Sequence, residues 1–136
     1  MVSAILESAL YVDDVARSAE FYKRLFGLRE LVRDERICVL AVAEKQVLLI
    51  FKKGGTLDAV ETPGGVIPPH DGDGQLHMAF EMPENEVDVW RRKLEEAGVE
   101  IESEVDWQTG GKSLYFRDPD NHCLELATRK TWRFLD

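Results

Sequence analysis

The chain repeats its own pattern. Two glycines placed to stop helices, Gly27 and Gly98, stand 71 positions apart, and Glu7 and His77, each inside an apolar strand-like segment, stand 70 apart. Around each pair the hydrophobic period changes in the same order, which duplication of one supersecondary unit explains better than chance. In the first copy the period predicts a strand at about 4–12 and a helix at about 15–26 whose Ala19, Tyr22, Leu25 and Phe26 share a face. Asp14 is placed to cap that helix and Gly27 to end it. Strands follow at about 29–33, 37–43 and 46–52, the last two joined by a turn at Glu44 and Lys45. The second copy reads as a strand at about 75–82, a helix at about 84–97 with Val87, Trp90 and Leu94 on one face, and strands at about 100–105, 112–117 and 122–127. The predicted fold is α+β: two βαβββ modules, about 4–52 and 75–127, in a single domain 1–136 with a tail at 128–136.

Between the modules, residues 53–74 hold Gly54, Gly55, Pro63, Gly64, Gly65, Pro68, Pro69, Gly72 and Gly74, which predict a linker or lid loop without regular structure. His70 sits there and His122 in a turn, so loop roles are expected for both. The tail's Thr131-Trp-Arg-Phe-Leu135 is expected to dock across a dimer, since exposed aromatic clusters are normally covered.

Strand parity divides these residues between two faces. Leu6, Leu10 and Val12 oppose Glu7, Ala9 and Tyr11, and Leu76, Met78, Phe80 and Met82 oppose Gln75, His77, Ala79 and Glu81. The aliphatic faces are predicted to lie under the helices, leaving Glu7 and His77 on the other side of the sheet. In Asp118-Pro119-Asp120-Asn121, proline at the first loop position excludes the two-residue turns that need positive φ there. A three-residue loop with Asn121 left-handed pairs Asp118 with His122 and therefore Tyr115 with Glu125. Ser113, Tyr115, Arg117, Cys123 and Glu125 then share the polar face with His77.

A carboxylate or imidazole turned into a small domain needs a partner to offset its desolvation. One divalent cation shared by Glu7, His77 and Glu125 would serve all three, and two carboxylates with one imidazole suit Mn²⁺, Fe²⁺, Zn²⁺, Ni²⁺ or Co²⁺. Twenty-six acidic against seventeen basic residues give a net charge of −9, which repels phosphate backbones and anionic membranes and predicts no nucleic-acid or membrane partner. Without an apolar run long enough for a bilayer or a basic, apolar leader, the expected location is cytoplasmic. Cys38 and Cys123 lie in apolar runs without metal-type spacing and are expected to be free thiols.

Three segments, Tyr11-Val-Asp-Asp-Val-Ala-Arg-Ser-Ala-Glu-Phe-Tyr22 with Leu25-Phe-Gly27, Leu76-His-Met-Ala-Phe80, and Tyr115-Phe-Arg-Asp-Pro-Asp-Asn-His-Cys-Leu-Glu125, make the chain resemble the vicinal oxygen chelate superfamily of glyoxalases, bleomycin-resistance proteins, fosfomycin-modifying enzymes and extradiol dioxygenases. The resemblance implies a U-shaped cupped sheet and metal ligands at Glu7, His77 and Glu125. It also implies a homodimer in which Glu7 of one chain meets His77 and Glu125 of the other. Several positions depart from the family's members: Leu49 stands where bacterial glyoxalase I enzymes usually add an acidic ligand, Ala9 where fosfomycin thiol transferases often carry Thr, and one His replaces the two of extradiol dioxygenases.

The expected activity is that of a divalent-metal-dependent glyoxalase- or dioxygenase-type enzyme whose small substrate chelates the metal through adjacent oxygens. Tyr115 is placed to donate a proton or hydrogen bond to the oxygen where charge develops, and Glu81, two residues after His77 on the same face, is the candidate base, a role that depends on the cleft around it. Two alternatives remain: a metal-free drug-binding protein of the bleomycin-resistance type, which the acidic balance and Trp107 permit, and a fosfomycin-type thiol transferase.

Overall fold

The computed structural model describes residues 1–132, so Phe134 and Leu135 of the expected aromatic tail lie outside the described residues. The chain divides into two compact units, residues 1–74 and Gln75 onward.

In the first unit β1 (Glu7–Val12), α1 (Val15–Phe26), β2 (Arg29–Arg33), β3 (Ile37–Val42) and β4 (Gln46–Lys52) follow one another as predicted. Asp14 accepts the Arg17 amide at the helix start, and Gly27 ends the helix at φ +66 while its N–H reaches the Lys23 carbonyl. The four strands form a sheet of order β1-β4-β3-β2, with β1 and β4 parallel and the other pairs antiparallel. Val15, Ala19, Tyr22 and Leu25 of α1 are buried along with Leu10, Val12, Leu40, Leu48 and Ile50 of the strands. Each fully buried Leu or Ile contributes on the order of 1.5–3 kcal/mol through apolar area removed from water. The first strand is shorter than its apolar run, since Ile5 and Leu6 precede Glu7 and are exposed. The β3–β4 turn begins one residue earlier than predicted, with Ala43 and Glu44 both at positive φ.

Residues 53–74 are more ordered than their glycines and prolines suggested. Val60–Thr62 (β5) and Gly65–Ile67 (β6) pair as a small antiparallel hairpin around Pro63 and Gly64. Its strands are built from β-branched Val60, Thr62, Val66 and Ile67, and Gly65 takes φ +151, a region open essentially to glycine alone. The segment is also tethered: the Tyr11 hydroxyl lies 2.5 Å from His70 Nδ1 and 3.0 Å from Thr56 Oγ1, and Thr56 Oγ1 donates to the His70 carbonyl at 2.6 Å. Gly72 lies flat on the Tyr11 ring, where a Cβ would come within 2.3 Å of it.

The second unit repeats the order with β7 (His77–Glu81), α2 (Val87–Glu96), β8 (Ser103–Asp106), β9 (Lys112–Arg117) and β10 (Cys123–Ala127), in a sheet of order β7-β10-β9-β8. Its core comprises Met82, Val87, Leu94, Leu114, Phe116, Leu124 and Leu126. The predicted helix at 84–97 splits, because Pro83 offers no side-chain cap and Glu84–Glu86 wind as a 3₁₀ turn before α2 proper. Asn121 adopts φ +65 and Tyr115 faces Glu125, as the turn chemistry required. His122 does more than end a turn: it is fully buried, and its Nδ1 accepts the Leu76 amide at 2.8 Å, fastening the entrance of β7. Both cysteines are free, Cys38 buried and Cys123 half-buried. No helix among the described residues is long and apolar enough to cross a membrane.

Candidate metal centre

Parallel pairing of β7 with β10 puts His77 beside Cys123 and Ala79 beside Glu125. His77 and Glu125 are therefore diagonal neighbours on one face, and His77 Nε2 stands 3.3 Å from Glu125 Oε1. The other ring nitrogen, Nδ1, lies 2.8 Å from the Cys123 carbonyl. A carbonyl oxygen only accepts, so Nδ1 carries a hydrogen and Nε2 is the ring nitrogen turned to a carboxylate oxygen. Two acceptors so placed call for a cation between them, either a proton or a metal ion. Adjacent ligands each about 2.0–2.2 Å from an ion would stand about 3 Å apart, close to the separation here. The Nδ1–carbonyl contact is the outer-shell bond that usually orients a metal-binding histidine. The pair thus fits a divalent ion on its own geometry.

Glu125 is buried, and its second oxygen accepts a short hydrogen bond from Ser113 Oγ. Ser113 in turn accepts the Trp107 indole N–H at 2.8 Å. This relay, Trp107 to Ser113 to Glu125, fixes the carboxylate while leaving Oε1 toward His77. Sequence reasoning placed Ser113 on this face without a role; the register that paired Tyr115 with Glu125 also makes Ser113 a diagonal neighbour of Glu125.

Tyr115 lies against the His77 ring, centroids 6.4 Å apart. Burial first and the Glu125 charge second raise its phenol above the ordinary tyrosine value, which keeps it a proton donor. Glu81, on the same face of β7, forms an ion pair with Arg129 at 3.2 Å. Glu7 opens β1 in the first unit, exposed and paired with Val47. Among the described residues no group of three His, Cys, Asp or Glu side chains is assembled within the chain.

Beside Glu125 the second unit also contains a cavity of about 300 Å³ lined by Ala79, Trp107, Tyr115, Glu125, Ala127, Thr131 and Trp132.

Comparison with known proteins gives these features a context. The chain is 30% identical over 132 residues to the metallothiol transferase FosB of Shouchella clausii, covering 94% of this chain and 82% of that one. A crystal structure of lactoylglutathione lyase from Agrobacterium tumefaciens superposes with a TM-score of 0.88 at 32% identity, covering 96% of this chain and 97% of that one. The fosfomycin resistance protein FosX from Listeria monocytogenes, crystallised with Mn(II) and sulfate, superposes with a TM-score of 0.69 at 25% identity over 94% and 91% of the two chains. These relatives favour the thiol-transferase alternative over the dioxygenase and drug-binding readings, and they bring a divalent metal into the family context. A family model described as Glyoxalase/Bleomycin resistance protein/Dioxygenase superfamily matches residues 4–126, and the chain belongs to that superfamily.

Proposed function

We propose that the protein is a divalent-metal-dependent enzyme that joins a thiol to a small electrophile bound through two adjacent oxygens. The observation that carries this reading is the His77–Glu125 pair, an oriented ring nitrogen facing a fixed buried carboxylate, in a chain related along its length to a metallothiol transferase. Glu7 completes the ligand set from a second copy of the chain, so the working form is a homodimer with shared sites. A bound divalent ion would supply a Lewis acid for the substrate oxygens. Tyr115 supplies the proton: as the sulfur–carbon bond forms and a carbon–oxygen bond breaks, its hydroxyl donates to the departing oxygen, and the hydrogen lost by the thiol restores the phenol.

The direct test is to incubate Mn²⁺-loaded protein with a thiol and an epoxide such as fosfomycin, following free thiol and product mass. Metal-dependent formation of the thiol adduct is expected. A protein that binds no divalent metal in any preparation and yields no adduct would sink the reading and leave the metal-free binding protein.

A second reading, isomerisation of a thiol hemiacetal, is favoured by the likeness to lactoylglutathione lyase. Leu49 opposes it, since this apolar residue sits where an additional acidic ligand is expected. Assaying the methylglyoxal–glutathione adduct in parallel decides between the two.

A further inference from the structure

The cavity beside Glu125 has walls that say what kind of substrate it admits. Trp107 and Trp132 flank it with 38% and 60% of their surfaces exposed, Tyr115 forms a third aromatic wall, and Ala79 and Ala127 contribute only methyl groups. The space exists because Ala127 is small. In the register shared by the two sheets, Glu81 pairs with Ala127 where Tyr11 pairs with Phe51 in the first unit, and there a phenyl ring stands instead.

The walls are fixed. Trp107 is held at its indole nitrogen by Ser113 and at its amide by the Gly111 carbonyl, 2.8 Å in each case. The segment bearing Thr131 and Trp132 is tied to β9 by the Thr128 amide on the Lys112 carbonyl and by the Lys112 amide on Thr128 Oγ1. Gly111 permits that seating, since a Cβ there would come within 2.4 Å of the Thr131 backbone nitrogen.

Among the described residues Glu125 is the one acidic side chain in the lining and no Lys or Arg lines the cavity, while Arg129 and Lys130, neighbours of Thr131, are engaged by Glu81 and Glu84 at 3.2 Å each. With Glu125 turned to the metal, a charged group reaching past the ion would find no ammonium or guanidinium among the described residues of the lining. Thr131 Oγ1 is buried and has no hydrogen-bond partner among the described residues.

We propose that this cavity receives an uncharged, flat, apolar arm of the substrate, so that the substrate class is a metal-chelating head carrying an aryl or similar hydrocarbon group. The inference rests on the reading of His77 and Glu125 as metal ligands, because that pair places the chelating head next to the cavity. A volume of about 300 Å³ lies at the small end of ligand pockets and suits one ring with a short substituent.

Two α-hydroxy acids with the same chelating head, mandelate with a phenyl arm and lactate with a methyl, test it by calorimetric titration of the Mn²⁺-loaded protein. Mandelate is expected to bind tighter than lactate by roughly tenfold or more, the scale of burying a phenyl group. Ala127→Phe, which fills the space, and Trp132→Ala, which removes a wall, are each expected to bring the ratio toward one. Metal-dependent binding of both acids with equal affinity, or a preference that survives Ala127→Phe, overturns the cavity assignment and leaves the metal site standing. Binding of neither acid, or binding indifferent to Mn²⁺, overturns the metal reading and the inference with it.

Discussion

At the place where Glu125 lies beside Ala79 in the second unit, the first unit has Leu49 beside Ala9; where Tyr115 faces Glu125, Val39 faces Leu49. The strand orders correspond as well, β1-β4-β3-β2 and β7-β10-β9-β8. One backbone design therefore carries a polar pair with an aromatic cavity in one unit and an apolar surface in the other, where the Gly-rich connector is laid over Tyr11 and Phe51. The difference shows that the scaffold supplies positions and the side chains supply chemistry, and that the two can diverge while the register stays fixed.

Making the second unit resemble the first is the harshest test. Glu125→Leu installs the residue of the other sheet; metal content by mass spectrometry should fall to background and thiol transfer by on the order of a thousandfold. Retention of stoichiometric metal would show that Glu125 is not a ligand. Tyr115→Phe should lower kcat by about a hundredfold with little change in KM, the scale of losing a positioned proton donor. Ser113→Ala leaves Glu125 and Trp107 without their shared hydroxyl, and metal affinity should weaken roughly 10- to 100-fold, as for other supporting residues around metal ligands. Unchanged affinity would reduce the relay to packing.

A smaller effect follows from Tyr115 in the metal-free protein. Its phenol is raised, chiefly by burial, so the folded state holds that proton after the unfolded chain has released it. The stability it contributes is fully present below about pH 10, the unfolded value, and falls as pH rises from there through the raised value. Comparing the alkaline limbs of denaturation for wild type and Tyr115→Phe checks the sign, since the variant should lose less stability there. In the first unit, His70→Ala should cost about 1 kcal/mol and speed proteolysis within residues 68–74, by releasing the connector from Tyr11. No change in either would mean that the tether does not hold the connector.

Much of this architecture was legible because its determinants are local. The bounds of α1 follow from the apolar period together with Asp14 and Gly27, and the pairing of Tyr115 with Glu125 follows from the chemistry of Pro119 and Asn121. The hairpin in the connector is hidden by its Gly and Pro residues and carried by the β-branched residues between them. The partners of His70 and His122 were invisible for a different reason. Tyr11 and Leu76 stand 59 and 46 residues away from them, and nothing local announces such contacts. The approach of His77 to Glu125 follows from strand parity, whereas the Ser113 relay required a diagonal contact that parity permits without specifying.

Each sheet is closed by its last-made central strand. Glu7 finds Val47 and His77 finds Cys123, so the parallel pair in each unit waits for some forty residues to be laid down. During synthesis the first sheet can complete its hydrogen bonding once β4 has left the ribosome, before most of the second has been translated, and the unit bearing His77 and Glu125 is the last to form. A ribosome stalled far enough into the second unit for β4 to have cleared the exit tunnel would thus display an apolar sheet already paired, with His77 still waiting for β10 to bring Glu125 beside it.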